Sequence, residues 1–319
     1  MITYVSFILA IFFGSLIGHL QAETRSFSFA LPLQRARPAL LSLPDKKPSA
    51  LLVVLHGGSR NASLAMGSDS EGEWNVQAAL HGWAVLYPSG TSNQKNPDKL
   101  LWNDCRLAFG SVGPEQTDTD DVAYLDALIR KVLADLDVKE DRVLLTGHSN
   151  GGGMSFRMAM ESTLPLRAMA PMLMTLPRDA HRCQDRWQKP LPTAYLLGTA
   201  DPMVAFQGGK KGRSGAETLA WIREKNRASF AGPPLSLPDR DTQDGAKGQS
   251  STLLRQSFGP SSEEINTVFW IIQGGGHQIP GLSPVQDWIV KWLGPKNRDL
   301  NVRAEIAAFF QAQLESVPK

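Results

Sequence analysis

The sequence predicts an α/β protein, a mostly parallel central sheet covered by helices on both faces. Three observations predict it. Unbroken apolar runs, among them "ALLVVL" (50–55), "TAYLLG" (193–198) and "TVFWII" (267–272), read as strands buried on both faces. Segments of helical periodicity lie between such runs. Several runs also end in glycine-rich loops, at the strand ends where sheets of this kind gather their chemistry. The 319 residues, 42% hydrophobic and 20% charged, suffice for one large domain, expected over residues 23–319.

Taken in order, the chain opens on "MITYVSFILAIFFGSLIGHLQA", residues 1–22, nearly uncharged and apolar from Val5 to Ile17. This predicts a secretory signal peptide cut near Ala22, and with it a secreted or periplasmic protein with no membrane attachment after cleavage. A retained anchor is the alternative, although the run is shorter than the roughly 20 residues that a span prefers. Ser26 to Leu33 reads as an edge strand, followed by a polar turn around Pro44 to Pro48. The run at 51–55 is a strand, Trp74 to Leu80 a helix, and Trp83 to Pro88 a strand. Asp120 and Asp121 stand where an N-cap and first turn belong. Val122, Leu125, Leu128, Ile129, Val132 and Leu133 then recur at helical spacing. A strand at 142–145, a helix from Met154 and a strand in "MAPMLMTL" follow. Gly232 to Ser262 is polar and reads as a surface excursion between the last two strands, with room for a short hairpin. Asn301 caps a final helix whose buried face is Ile306, Phe309, Phe310 and Leu314.

The formal net charge of +2 argues against nucleic acid as a partner. No spacing of Cys and His suggests a metal site. Cys105 and Cys183 are the two cysteines; in an exported protein they form a disulfide, and two free thiols are the alternative.

"RVLLTGHSNGGGMSFRMAM" (142–160) carries the chemistry. Gly147-His148-Ser149-Asn150-Gly151 matches G-x-S-x-G between a strand and a helix, the context that makes such a serine a nucleophile rather than a turn residue. A serine nucleophile needs a base, and the base needs a carboxylate to orient it. His277 follows "VFWIIQGGG", and Asp201 follows "YLLGTA", so both sit on loops at strand ends. His148 is expected to point away from the Ser149 hydroxyl. His56-Gly57-Gly58, after the strand at 51–55, supplies amides for an oxyanion. The donors are assigned to Gly58 and Asn150, with Gly57 the alternative to Gly58, and His56 is expected to bond within its own loop. Trp102 lies on a long loop and either stacks on a substrate ring or anchors the core.

"LVVLHGG", "WNDC", "DDVAYLDALI", "GHSNGGGMSFRMA", "GTADPMVAFQGG" and "GGGHQIPG" occur here in the order seen in extracellular polyhydroxybutyrate depolymerases and the related feruloyl and acetylxylan esterases. The sequence resembles that family from about Leu51 to Phe310. The resemblance implies an α/β-hydrolase fold and a secreted, cofactor-free serine carboxylic ester hydrolase with Ser149, Asp201 and His277 as its triad. Its partner would be a small-molecule or polymeric ester. Gly58 stands where polyhydroxybutyrate depolymerases commonly carry cysteine, Ile279 where relatives often carry Trp, and the chain has no room for their extra polymer-binding domains. These departures move the expectation toward feruloylated or acetylated sugars or short hydroxyalkanoate esters, with the insoluble polyester as the alternative. A serine peptidase and a non-catalytic binding protein on the same fold are the remaining readings.

Overall fold

The computed structural model describes residues 23–316 apart from Leu33, 68–72, 94–95, 106–118, 179–182, 184, 188, 211, 243 and 245–249. The expected signal segment 1–22 lies outside the described residues.

Strands β1 (Glu23–Phe29), β2 (Arg37–Leu43) and β3 (Leu51–Leu55) come first, followed by helices α1 (Ala62–Gly67) and α2 (Glu73–His81). Strand β4 (Ala84–Pro88) and a small hairpin of β5 (Thr91–Asn93) and β6 (Asn96–Leu101) lead to α3 (Asp121–Leu136). Next are β7 (Val143–His148), α4 (Asn150–Glu161), β8 (Ala168–Met172), β9 (Thr193–Gly198) and α5 (Gly215–Lys225). The chain ends with β10 (Phe230–Ala231), β11 (Leu235–Ser236), β12 (Thr252–Gly259), β13 (Thr267–Gln273), α6 (Asp287–Leu293) and α7 (Val302–Glu315).

Among the described residues the main sheet has eleven strands in the order β1-β2-β4-β3-β7-β8-β9-β13-β12-β10, with β11 also on β12. Its centre, from β4 to β13, is parallel. Antiparallel strands flank it on both sides. Side chains of the central strands alternate between two cores. Leu51, Val53 and Leu55 of β3 join Val143 and Leu145 of β7 on the face covered by α3, α4 and α5. Leu52, Val54 and Leu144 face the other way, against α1, α2 and α7. This two-sided burial is why these strands read as unbroken apolar runs.

The caps follow the sequence. Asp120 accepts from Ala123 N at the start of α3, and Asn301 accepts from Arg303 N and Ala304 N at the start of α7. Ile306, Phe310 and Leu314 are buried as expected, while Phe309 is partly so.

Three elements differ from expectation. The edge strand lies at Glu23–Phe29 and pairs with β2, which its polar surroundings concealed. The stretch 232–262 is more than an excursion: it holds β12, paired along its length with β13. Only Leu253, Phe258 and Gly259 of β12 are buried, so the strand lacks the apolar run of a central one. Helix α5 also escaped the sequence reading, although Ser214 and Glu217 form a capping box, a signal visible in "SGAE".

Cys105 and Cys183 are joined in a disulfide, with their Cα atoms 5.7 Å apart. The bridge closes a loop of 78 residues. Loop-closure entropy for that length corresponds to about 4 kcal/mol as an upper figure. Replacing both cysteines by serine should therefore lower the midpoint of urea unfolding by up to that equivalent. An unchanged midpoint would show that the bridge contributes nothing to the fold.

Candidate active site

Ser149 stands between β7 and α4 with φ 57° and ψ −120°, a conformation that L-residues avoid. Such strain costs of order 1–3 kcal/mol and persists only where the surroundings enforce it. They do so here by backbone contact. A Cβ at Gly147 would clash with the Gly151 carbonyl, and one at Gly151 with the carbonyls of Leu55 and His56. At Gly152 a Cβ would press on the Met172 carbonyl, 2.8 Å away. Ser149 N donates to Met172 O at 2.9 Å, and Gly153 N to Ser149 O at 3.0 Å. The glycines of "GHSNGGG" thus let the first turn of α4 enter between β3 and β8, which leaves Ser149 half-buried at the sheet edge.

Asp201 and His277 meet at that edge. His277 Nδ1 donates to Asp201 Oδ2 at 2.6 Å, with both side chains buried. The other oxygen, Oδ1, accepts from Met203 N at 2.7 Å and Val204 N at 2.8 Å, which fixes the carboxylate plane. With the proton on Nδ1, His277 Nε2 is left as the acceptor nitrogen. The loops that carry the pair are laced together. Ala200 N donates to Gly275 O at 2.9 Å, and Gly274 N to Thr199 Oγ1 at 2.9 Å. His277 N donates to Leu293 O, so the end of α6 holds His277 from behind.

The His277 ring lies 5.0 Å from that of His148, centroid to centroid, and this contact brings it to the elbow. Burial holds the His148 imidazole well below the usual histidine range, and the nearby His277 and Arg60 push it the same way. A neutral ring therefore packs against His277. The sequence reading said only that His148 points away from the Ser149 hydroxyl; its ring is a neighbour of His277.

The loop at 56–58 packs on the elbow from the other side. A Cβ at Gly57 would lie 3.7 Å from Ser149 Cβ, and one at Gly58 3.8 Å from Asn150 Cβ. Both glycines thus lie against the elbow. His56 bonds within the loops, as expected: Nδ1 donates to Gly57 O at 2.8 Å, and Nε2 accepts from Gly90 N at 2.9 Å.

Of the two readings of Trp102, a ring stacked on substrate and a core anchor, the structure corrects the first and bears out the second. Trp102 is 1% exposed, its ring lies against His56, and its indole N–H donates to His56 O at 3.0 Å. It is a core anchor, because a long loop without periodicity does not reveal which way its tryptophan turns. The same loop holds residues that sequence reasoning missed. Asn150 Oδ1 accepts from Trp102 N at 2.7 Å, while Nδ2 donates to Trp102 O at 3.0 Å and to Asp104 Oδ2 at 2.8 Å. Arg157 Nη1 donates to Asn103 O at 2.6 Å. Segment 102–104 therefore clamps the first turn of α4, and the disulfide at Cys105 ends the clamp. Cys105, Cys183 and Glu161 lie close together, but both sulfurs are in the bridge and neither is a thiolate for a metal.

Two outcomes follow from this packing. Gly151→Ala should abolish the native elbow, because its Cβ meets backbone that has nowhere to move; soluble protein with wild-type thermal stability would contradict that. Burial lowers the His56 pKa to about 4. The folded state thus disfavours the imidazolium, so the stabilisation is complete above the unfolded value of about 6.5 and drains as the pH falls toward 4. Urea stability measured from pH 7 to pH 4 should fall, and less steeply in His56→Gln. Equal slopes for the two proteins would exclude His56 as a source.

No protein-family model matches the chain. A protein described as a probable feruloyl esterase C, from Aspergillus flavus, is 29% identical over 181 residues, covering 54% of this chain and 58% of its own length. Feruloyl esterase B of Piromyces equi is 28% identical over 222 residues, 66% of this chain and 38% of its own length. The chain thus spans about half the length of these curated relatives. Among solved structures, a cold-adapted esterase from an Arctic intertidal metagenomic library superposes with a TM-score of 0.55 at 16% identity, covering 93% of this chain and 96% of that one. The chain has the α/β-hydrolase fold, and by sequence it is feruloyl-esterase-like.

Proposed function

We propose that the protein is a serine carboxylic ester hydrolase acting on feruloyl or acetyl esters of sugars. The observation that carries the reading is the buried Asp201–His277 pair, set beside an elbow that holds Ser149 at a positive φ. The likeness to feruloyl esterases supports the substrate class.

In this reading His277 Nε2 takes the proton of the Ser149 hydroxyl as Oγ attacks the ester carbonyl carbon. Asp201 keeps the Nδ1–H tautomer and stabilises the imidazolium that forms. The oxyanion accepts from the amides of Asn150 and of Gly58 or Gly57, which lie at the N-terminal end of α4 where the helix dipole favours negative charge. His277 returns the proton to the leaving alcohol, and the acyl group stays on Ser149. Water then enters and gives a proton to Nε2 as its oxygen attacks the acyl carbon; the bond to Ser149 Oγ breaks, Oγ takes the proton back from Nε2, and the acid is released. The neutral His148 beside His277 leaves that imidazolium without a like charge next to it. The disulfide supports an oxidising compartment, and hence residues 1–22 as an export signal.

Turnover of p-nitrophenyl acetate, methyl ferulate, acetylated xylan and polyhydroxybutyrate, measured side by side, tests the class. Hydrolysis of the polyester alone would overturn the sugar-ester reading, and cleavage of none of the four would overturn the esterase. Ser149→Ala should lose several orders of magnitude in kcat while keeping its melting temperature. A variant retaining a tenth of wild-type turnover would remove Ser149 from the nucleophile's role. Asp201→Asn should lower kcat by about 10⁴ through the wrong imidazole tautomer, with little change in KM. Near-normal kcat in that variant would place the orienting acid elsewhere.

A further inference from the structure

Helix α6 carries two tryptophans that the fold does not use. Trp288 is 64% exposed and Trp292 is 72% exposed, whereas Trp74, Trp83, Trp102 and Trp270 are all buried. At i and i+4 they lie one above the other on a single helix face, about 6 Å apart along the axis. The indole N–H of Trp288 donates to Gln286 Oε1, which limits the turning of its ring. The platform is also fixed relative to the candidate base: Leu293, next to Trp292, accepts from His277 N through its carbonyl.

We infer that this face is a stacking platform for a polysaccharide chain and holds it beside the scissile ester. The inference rests on the esterase reading and names the form of its substrate. The area of the patch points to a thin ligand. Two large aromatic side chains present roughly 300 Å², against about 800 Å² per partner in a stable protein interface. A second copy of the chain is thus poorly matched to it. The surroundings are polar: Gln286, Asp287 and Lys291 are exposed around the rings. A pyranose ring has a C–H face that lies flat on indole and hydroxyls at its edge that bond to such neighbours. A lipid surface would call for a basic apolar helix, but α6 carries one acidic and one basic residue. Two rings one helical turn apart suit consecutive units of an extended chain.

The test is depletion of the full chain from solution by insoluble arabinoxylan, in the Ser149→Ala background so that no ester is consumed. Trp288→Ala with Trp292→Ala should weaken binding at least tenfold, and each single variant should fall between. Trp288→Phe with Trp292→Phe, which keeps a flat ring, should retain part of the binding and serves if the alanine protein misfolds. In the Ser149 background, the ratio of turnover on feruloylated arabinoxylan to turnover on methyl ferulate should fall by a similar factor in the alanine variant. Equal depletion of parent and variant would overturn the platform. So would binding to polyhydroxybutyrate granules or phosphatidylcholine vesicles without binding to arabinoxylan, or a wild-type dimer in sedimentation that the alanine variant dissociates. Arabinoxylan binding lost on substitution, in a protein that cleaves no ester, would leave the platform standing and remove the esterase reading instead.

Discussion

Helix α4 enters the sheet with its backbone pressed against the carbonyls of Leu55 and His56, and glycine at 151 is what permits it. The rest of the working edge depends on this approach. It forces Ser149 out of the chain's line into a positive φ and sets Asn150 against the loop at 57–58. Any Cβ there would push the helix from the end of β3. The surrounding backbone hydrogen bonds, Ser149 N to Met172 O and Gly153 N to Ser149 O, resist relaxation of the strained residue.

Around that contact the molecule is braced from two sides. On one side, segment 102–104 is tied to Asn150 by three hydrogen bonds and to Arg157 by another, with Trp102 driven into the core beneath His56. The disulfide then anchors the segment to Cys183. On the other side, Asp201 and His277 are locked by backbone amides and by the carbonyl at the end of α6. Each functional side chain thus has its direction set by groups that do not react.

Burial has electrostatic consequences at the same edge. His56 and His148 are enclosed and therefore held neutral, because burial penalises the charged imidazolium. His277 differs in having the Asp201 carboxylate as its hydrogen-bond partner. Three histidines crowd one end of the sheet, and their surroundings differ.

The sequence by itself determined the strands with two-sided burial, the helix caps at Asp120 and Asn301, the elbow, and the three strand ends that bear Ser149, Asp201 and His277. These are local signals: apolar run length, capping residues, and glycines where a side chain is forbidden. It was silent on β2, whose run is interrupted by Arg37, Pro38 and Ser42, and on β12 and α5, whose residues are mostly not buried. Only the tertiary structure decided that Trp102 is an anchor and that Asp104 and Asn150 form a clamp. It also decided that His148 packs on His277 and that Trp288 and Trp292 are exposed. Those outcomes depend on which distant backbone passes by, and a side chain in a loop carries no record of that in its neighbours along the chain.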